Sequence, residues 1–244
     1  VATVEGHRST WQTWHLRAEA YRQARTATLT ADAVEPLVDA LVARAVGVHS
    51  VPVTHPTNDP ISEPRVLRRR DGTSVYSVAG AQQFTSRRIL DAEQRLVTLA
   101  GRRDGHAATD VAVDLALLET AANGFELNPG QAALARQMAT SGVRLQVAIA
   151  PAGSGKTTAM ATLARAWSED GGTILGLAPS AAAAEQLGSQ IGHHTDTLAK
   201  LVWHLDHDPT PAWMSHIGAH SLVVIDEAGM ADTLTLDRAV GWLI

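Results

Sequence analysis

Two short stretches of this sequence hold residues whose types and order suit work on phosphate groups. The first is Ala150-Pro151-Ala152-Gly153-Ser154-Gly155-Lys156-Thr157-Thr158. It follows an apolar run, Leu145–Ala150, that reads as a strand, and it opens a segment of helical spacing over about 156–169. A tight loop between strand and helix can wrap phosphates in backbone N–H groups, and the helix N-terminus adds partial positive charge. Gly153 and Gly155 permit the backbone angles and the close approach. Lys156 is placed to bridge β- and γ-phosphates, and the Thr157 hydroxyl to reach Mg²⁺. The tripeptide Gly-Lys-Ser/Thr alone would arise by chance in about one chain in eight of this length. Ala150 also stands where such loops carry their first glycine. The flanking strand, Pro151, the additional Gly153 and the following helix therefore carry the reading.

The second stretch is Ser221-Leu222-Val223-Val224-Ile225-Asp226-Glu227, an apolar strand ending in two carboxylates. Asp226 at the strand tip can hold Mg²⁺ beside Thr157, and Glu227 is then placed to orient or deprotonate an attacking water. Phosphoryl transfer asks mainly for positioning and charge neutralisation. Alone, an Asp-Glu pair reads as a solvated turn; about 70 residues after a phosphate loop it reads as the hydrolytic pair.

The elements that must position these groups alternate. After Leu127, Asn128-Pro129 reads as N-cap and first helical residue of a helix to about Ala139. Continuous apolar runs at 145–150, 174–178 and 222–225 are separated by helical segments at about 156–169 and 180–191. Such runs between helices imply parallel strands buried on both faces, an α/β sheet. Before 125 the pattern differs. Ser9 can cap a helix with Trp11, Trp14, Ala18 and Tyr21 on one face, and Val34, Leu37, Val38, Leu41, Val42 and Ala45 mark a second, with Pro36 in its first turn. Four prolines between 50 and 64 mark a linker. Asp71-Gly72 between β-prone runs predicts a hairpin near 65–79. Ser86 opens a third helix, and a fourth spans about 110–122 and stops at Asn123-Gly124. The predicted organisation is a mostly helical domain with a hairpin over 1–124 and an α/β nucleotide-binding domain over 125–244.

Bulk properties bound the partners. The chain has 244 residues, no cysteine and a net charge of −5. Disulfides and thiolate metal sites are excluded, and nucleic acid would have to be held by a local groove rather than by the global field. No apolar run reaches membrane-spanning length, and no signal peptide follows Val1, so a cytoplasmic setting is expected. Arg68-Arg69-Arg70 reads as a solvated arm. His204, His207, His216 and His220, with Asp206 and Asp208, lack thiols and a tight helical HxxxH pair and do not read as zinc ligands. Trp11, Trp14 and Trp167 read as core or half-core.

Four blocks then resemble, in order, the motifs of RecD-like superfamily 1 helicases. Leu127-Asn-Pro-Gly-Gln131 resembles the Q motif, 150–158 motif I, Gly176-Leu-Ala-Pro-Ser180 with Thr197-Leu-Ala-Lys-Leu201 motif Ia and the segment behind it, and Val224-Ile-Asp-Glu-Ala-Gly-Met230 motif II. The finer likeness is to the helicase portion of conjugative relaxase–helicases of the MobF type. It is specific over 127–231 and softer before that. The resemblance implies a RecA-like P-loop NTPase sheet that binds ATP and Mg²⁺. Gln131 would read adenine, and Ala152 to Thr158 would cradle phosphate. Lys156 and Glu227 would be catalytic, Thr157 and Asp226 would hold the metal, and Pro179, Ser180 and Thr197 would meet single-stranded DNA. It implies ATP-dependent DNA unwinding in plasmid transfer; a RecD-like repair helicase and a truncated, non-enzymatic nucleotide-binding module are the alternatives. The relaxase tyrosine and histidine cluster are not seen, since Tyr21 and Tyr76 sit in other settings. No later helicase motif follows before Ile244. The expectation is a piece of a longer protein, with a second RecA-like domain and an upstream relaxase domain as partners, that binds nucleotide, turns over poorly and does not unwind DNA alone.

Overall fold

The computed structural model describes residues 1–53, 64, 66, 68, 82–151 and 153–244. It divides into two compact units, Val1–Glu93 with Asp232–Leu234, and Gln94–Ala231 with Thr235–Ile244. The hairpin expected near 65–79 lies almost wholly outside the described residues, as do Arg69 and Arg70.

In the first unit, helices α1 (Ala2–Glu5), α2 (Thr13–Ala24) and α3 (Ala31–His49) accompany a short antiparallel pair, β1 (Val51–Pro52) with β2 (Phe84–Thr85). Its core gathers Trp11, Leu16, Ala20, Val38, Val42, Phe84 and Ile89. Trp11 is not on a helix. It exchanges backbone hydrogen bonds with Phe84 (2.8 and 2.7 Å), and its Nε1 donates to Ser50 Oγ at 3.2 Å. That bridge moves the start of α2 to Thr13, and the inward face becomes Leu16, Ala20 and Ala24. Trp14, expected in or near the core, is therefore 58% exposed. Helix α4 (Arg87–Ala100) follows Ser86, whose hydroxyl accepts from the Ile89 N–H at 3.1 Å.

The second unit is α/β. A three-stranded parallel sheet has the order β4-β3-β5, with β3 at Thr173–Ala178, β4 at Thr195–Thr197 and β5 at Ser221–Ile225. Parallel neighbours need crossovers, and α8 (Ala181–Ile191) and then α9 (Leu198–Asp206) provide them. On one face, Ile174 and Val224 pack against Leu163, Ala164 and Trp167 of α7 (Lys156–Glu169), together with Val113 and Ala116 of α5 (Asp110–Ala122) and Ala139 of α6 (Pro129–Thr140). On the other, Leu175 and Leu177 pack with Leu198 and Leu201 of α9, Met214, and Ala239 of α10 (Thr233–Leu243). The split of Ile174 from Leu175 is the two-residue alternation of a strand covered on both sides.

One expectation changes. Leu145–Ala150 is not a strand. It keeps an alternating exposure, with Val147 75% and Ile149 94% exposed, but no described strand pairs with it. A strand persists only as a member of a ladder. Separately, the two compact units divide near Gln94, and the nucleotide-binding domain expected from 125 lies within the second apart from Asp232–Leu234. The reason is that α5 packs on α7, where the Thr120 and Thr162 hydroxyls meet at 3.2 Å, and that the Asp170 carboxylate ties the α5 N-cap residue Thr109 to the end of α7. Among the described residues no helix is long and apolar enough to cross a membrane.

Candidate functional site

Helix α7 has 14 residues and is about 21 Å long. Its last turn is pinned at the amino ends of the strands, where Trp167 Nε1 donates to the His220 carbonyl at 3.0 Å and the Thr173 N–H donates to the same oxygen at 3.1 Å. Its first turn therefore points toward the carboxyl edge of the sheet. The loop before it carries Gly153 at φ 73° and Gly155 at φ 76°, the left-handed region that other residues enter only at a cost. Gly155 is the N-cap and brings no side chain to the first-turn amides, which stay available to an anion. Ala152 lies outside the described residues.

Lys156 is folded back on its own loop. Its Nζ donates to the Ala150 carbonyl at 2.6 Å and to the Pro151 carbonyl at 3.2 Å. Carbonyl oxygens thus stand where phosphate oxygens would be the stronger acceptors. Thr157 is exposed beside it, and Thr158 turns its carbonyl to the Thr162 hydroxyl at 2.9 Å. Ser154 Oγ is buried without a hydrogen-bond partner among the described residues.

Gln131 joins this loop from α6. Its Oε1 accepts from the Asn128 N–H at 2.8 Å, while Asn128 Oδ1 accepts from the Gln131 N–H at 3.0 Å. This reciprocal capping box leaves Nε2 to donate to the Ser154 carbonyl at 2.8 Å. The Asn-x-x-Gln spacing could have revealed the capping role from sequence; the reach of 23 residues to Ser154 could not.

The carboxylates stand at the same sheet edge. The Asp226 N–H donates to Leu177 O at 3.0 Å, continuing the β3–β5 ladder by one residue. Its Oδ1 accepts from the Glu227 N–H at 2.9 Å. Glu227 has φ 51°, left-handed and not glycine, and starts a 3₁₀ turn over Ala228–Met230. A strained residue of this kind persists only where its surroundings hold it, and such residues cluster at functional sites. The register also pairs Ala178 with Thr197, so Pro179, Thr197 and Asp226 end neighbouring strands. Ser180 caps α8 by accepting from the Ala183 N–H at 3.2 Å, and Thr197 caps α9 by accepting from the Lys200 N–H at 3.1 Å.

Three further features were not anticipated. The strand β4 is a three-residue polar segment with no apolar pattern to announce it. Asp170, at the far end of α7, accepts from the Thr109 N–H (3.0 Å), the Thr109 hydroxyl (2.9 Å) and His106 Nε2 (2.8 Å). These donors, the Thr109 N–H first, hold its carboxyl below the usual range. Trp203 is 51% exposed and stacks on His207 with ring centroids 4.4 Å apart.

A glycine-bent loop opening a helix at the carboxyl edge of a parallel sheet, with an Asp-Glu pair ending a strand of that sheet, is the arrangement of a RecA-like P-loop fold. Residues 126–243 match the family model described as an AAA domain, and domains of that kind bind ATP with Mg²⁺. No curated protein matches the chain. The chemistry of the residues fits this cofactor. The Thr157 hydroxyl and the Asp226 carboxylate are the kind of hard oxygen donors Mg²⁺ prefers, and Lys156 with the first-turn amides would supply a cradle for phosphate.

Proposed function

We propose that this chain is the ATP-binding motor domain of a RecD-like superfamily 1 DNA helicase acting on single-stranded DNA, and that its parent protein serves conjugative plasmid transfer. The reading is carried by one observation: residues suited to nucleotide hydrolysis and residues suited to a nucleic-acid backbone share the carboxyl edge of one sheet. In the hydrolytic role, Lys156 exchanges its two carbonyl partners for phosphate oxygens, Thr157 and Asp226 hold Mg²⁺, and Glu227 orients the attacking water. Bound Mg²⁺ neutralises charge on the transferring phosphoryl group. In the DNA role, the hydroxyls of Ser180 and Thr197 each accept an amide hydrogen bond and keep their own proton to donate to a phosphate oxygen. Pro179 shapes the approach. Both groups sit on strands hydrogen-bonded to β3 or on its own end. A second RecA-like domain and an upstream relaxase domain belong to the same proposal and rest on the family resemblance, and a cytoplasmic setting goes with them.

The test is the affinity of the chain for a single-stranded oligonucleotide. Ser180→Ala with Thr197→Ala should weaken binding several-fold, and Ser180→Thr with Thr197→Ser should restore it. Because the alanine pair also removes two caps, each contributing about 1 kcal/mol, melting is followed in parallel. Unchanged affinity in the folded alanine pair would remove the DNA reading.

A further inference from the structure

Gln131 is held by protein at both ends of its amide. Oε1 is occupied by the Asn128 N–H and Nε2 by the Ser154 carbonyl. The side chain also lies directly over Gly155, where an added Cβ would come within 2.1 Å of Nε2. We infer that Gln131 is a positioning residue for the phosphate loop: it fixes the Ser154-Gly155 peptide from outside and so acts on every polyphosphate the loop takes, whatever base is attached. The inference rests on the phosphate-loop reading given above and deepens it.

The physical logic is preorganisation. The loop must hold Gly153 and Gly155 in left-handed conformations while Lys156 releases two carbonyls. A hydrogen bond that clamps the Ser154 carbonyl keeps that oxygen turned away from the cradle. Without the clamp the loop samples more conformations, and all phosphate ligands lose affinity together.

The test is calorimetric titration of the 244-residue chain with Mg²⁺ and ATP, GTP or inorganic tripolyphosphate. Three variants are compared with the unmutated chain. Gln131→Met keeps the volume over Gly155 but loses the donor. Asn128→Ala weakens the cap and keeps the clamp. Lys156→Ala disables the loop. Gln131→Met should weaken all three ligands by the same factor, about three- to tenfold, the worth of one hydrogen bond, while Asn128→Ala should bind as the unmutated chain does. A loss confined to ATP would overturn the inference and return Gln131 to reading adenine. No loss for any ligand would overturn it as well, as would an equal loss in Asn128→Ala, which would trace the effect to the cap. If Lys156→Ala binds tripolyphosphate undiminished, or the unmutated chain binds none of the three, the phosphate-loop reading itself fails and takes this inference with it.

Discussion

Replacing Gly155 by alanine should cost far more than replacing Gly153, although both have nearly the same backbone. Gly153 has φ 73° and Gly155 φ 76°, so each alanine bears a left-handed penalty of about 1 kcal/mol. A Cβ at Gly153 meets nothing within 4 Å. At Gly155 it would stand 2.1 Å from Gln131 Nε2 and 3.2 Å from its Cδ. The flexible amide must leave, giving up its bonds to the Ser154 carbonyl and the Asn128 N–H, together about 2 kcal/mol. The expected destabilisation is about 3 kcal/mol for Gly155→Ala and about 1 kcal/mol for Gly153→Ala. In a Gln131→Ala background the clash and the two bonds are already gone, so Gly155→Ala should cost only about 1 kcal/mol there. Urea unfolding of the four proteins in this cycle would read a coupling of about 2 kcal/mol. Gly153→Ala with Gln131→Ala, in contrast, should be additive. Additive costs for Gly155→Ala and Gln131→Ala would refute the placement of Gln131 over the loop.

Two further outcomes follow from the geometry. Glu227→Gly relieves a left-handed residue at φ 51° and should raise stability by about 0.5–1 kcal/mol after the added chain entropy of glycine is counted, with nucleotide binding kept and hydrolysis lost; a fall in melting temperature would contradict the strain. Asp170 is held ionised by the Thr109 N–H, the Thr109 hydroxyl and His106, so its contribution is present above the unfolded carboxyl value of about 4 and is lost as pH falls through its lower folded value. Asp170→Asn should therefore be less stable than the parent at neutral pH by about 1 kcal/mol, with the gap closing in acid. A gap that stays constant from pH 7 to pH 2 would contradict this.

The parts of the fold legible in the sequence are those written in local chemistry. Asn128-Pro129 begins α6 as N-cap and first residue, Ser86 caps α4, and Gly124 follows α5 at φ 83°. The runs at 174–178 and 222–225 are parallel neighbours. What escaped depends on distant partners. Leu145–Ala150 has the alternation of a strand and no described strand hydrogen-bonded to it as a ladder. Trp11 leaves the helical face because Phe84 recruits its backbone. The three residues of β4 are a strand only because β3 offers them a ladder. Pro36 lies inside α3 rather than in its first turn, since Thr30 and not a later residue precedes the helix. At the site, the loop, the carboxylates and the two capping hydroxyls could be named from motifs. The contacts of Gln131 with Ser154 and of Lys156 with its own carbonyls are tertiary facts that no spacing encodes.

The central claim is that the loop at Gly153–Thr158 binds the phosphates of a Mg²⁺-nucleotide, and the most direct measurement is a titration of the chain with a fluorescent ATP analogue and Mg²⁺ beside Lys156→Ala. Saturable binding that depends on Mg²⁺ and is reduced at least tenfold in the variant, the worth of a charge-assisted bond to phosphate, is the predicted result. Equal binding by both proteins, or none by the unmutated chain, would contradict it.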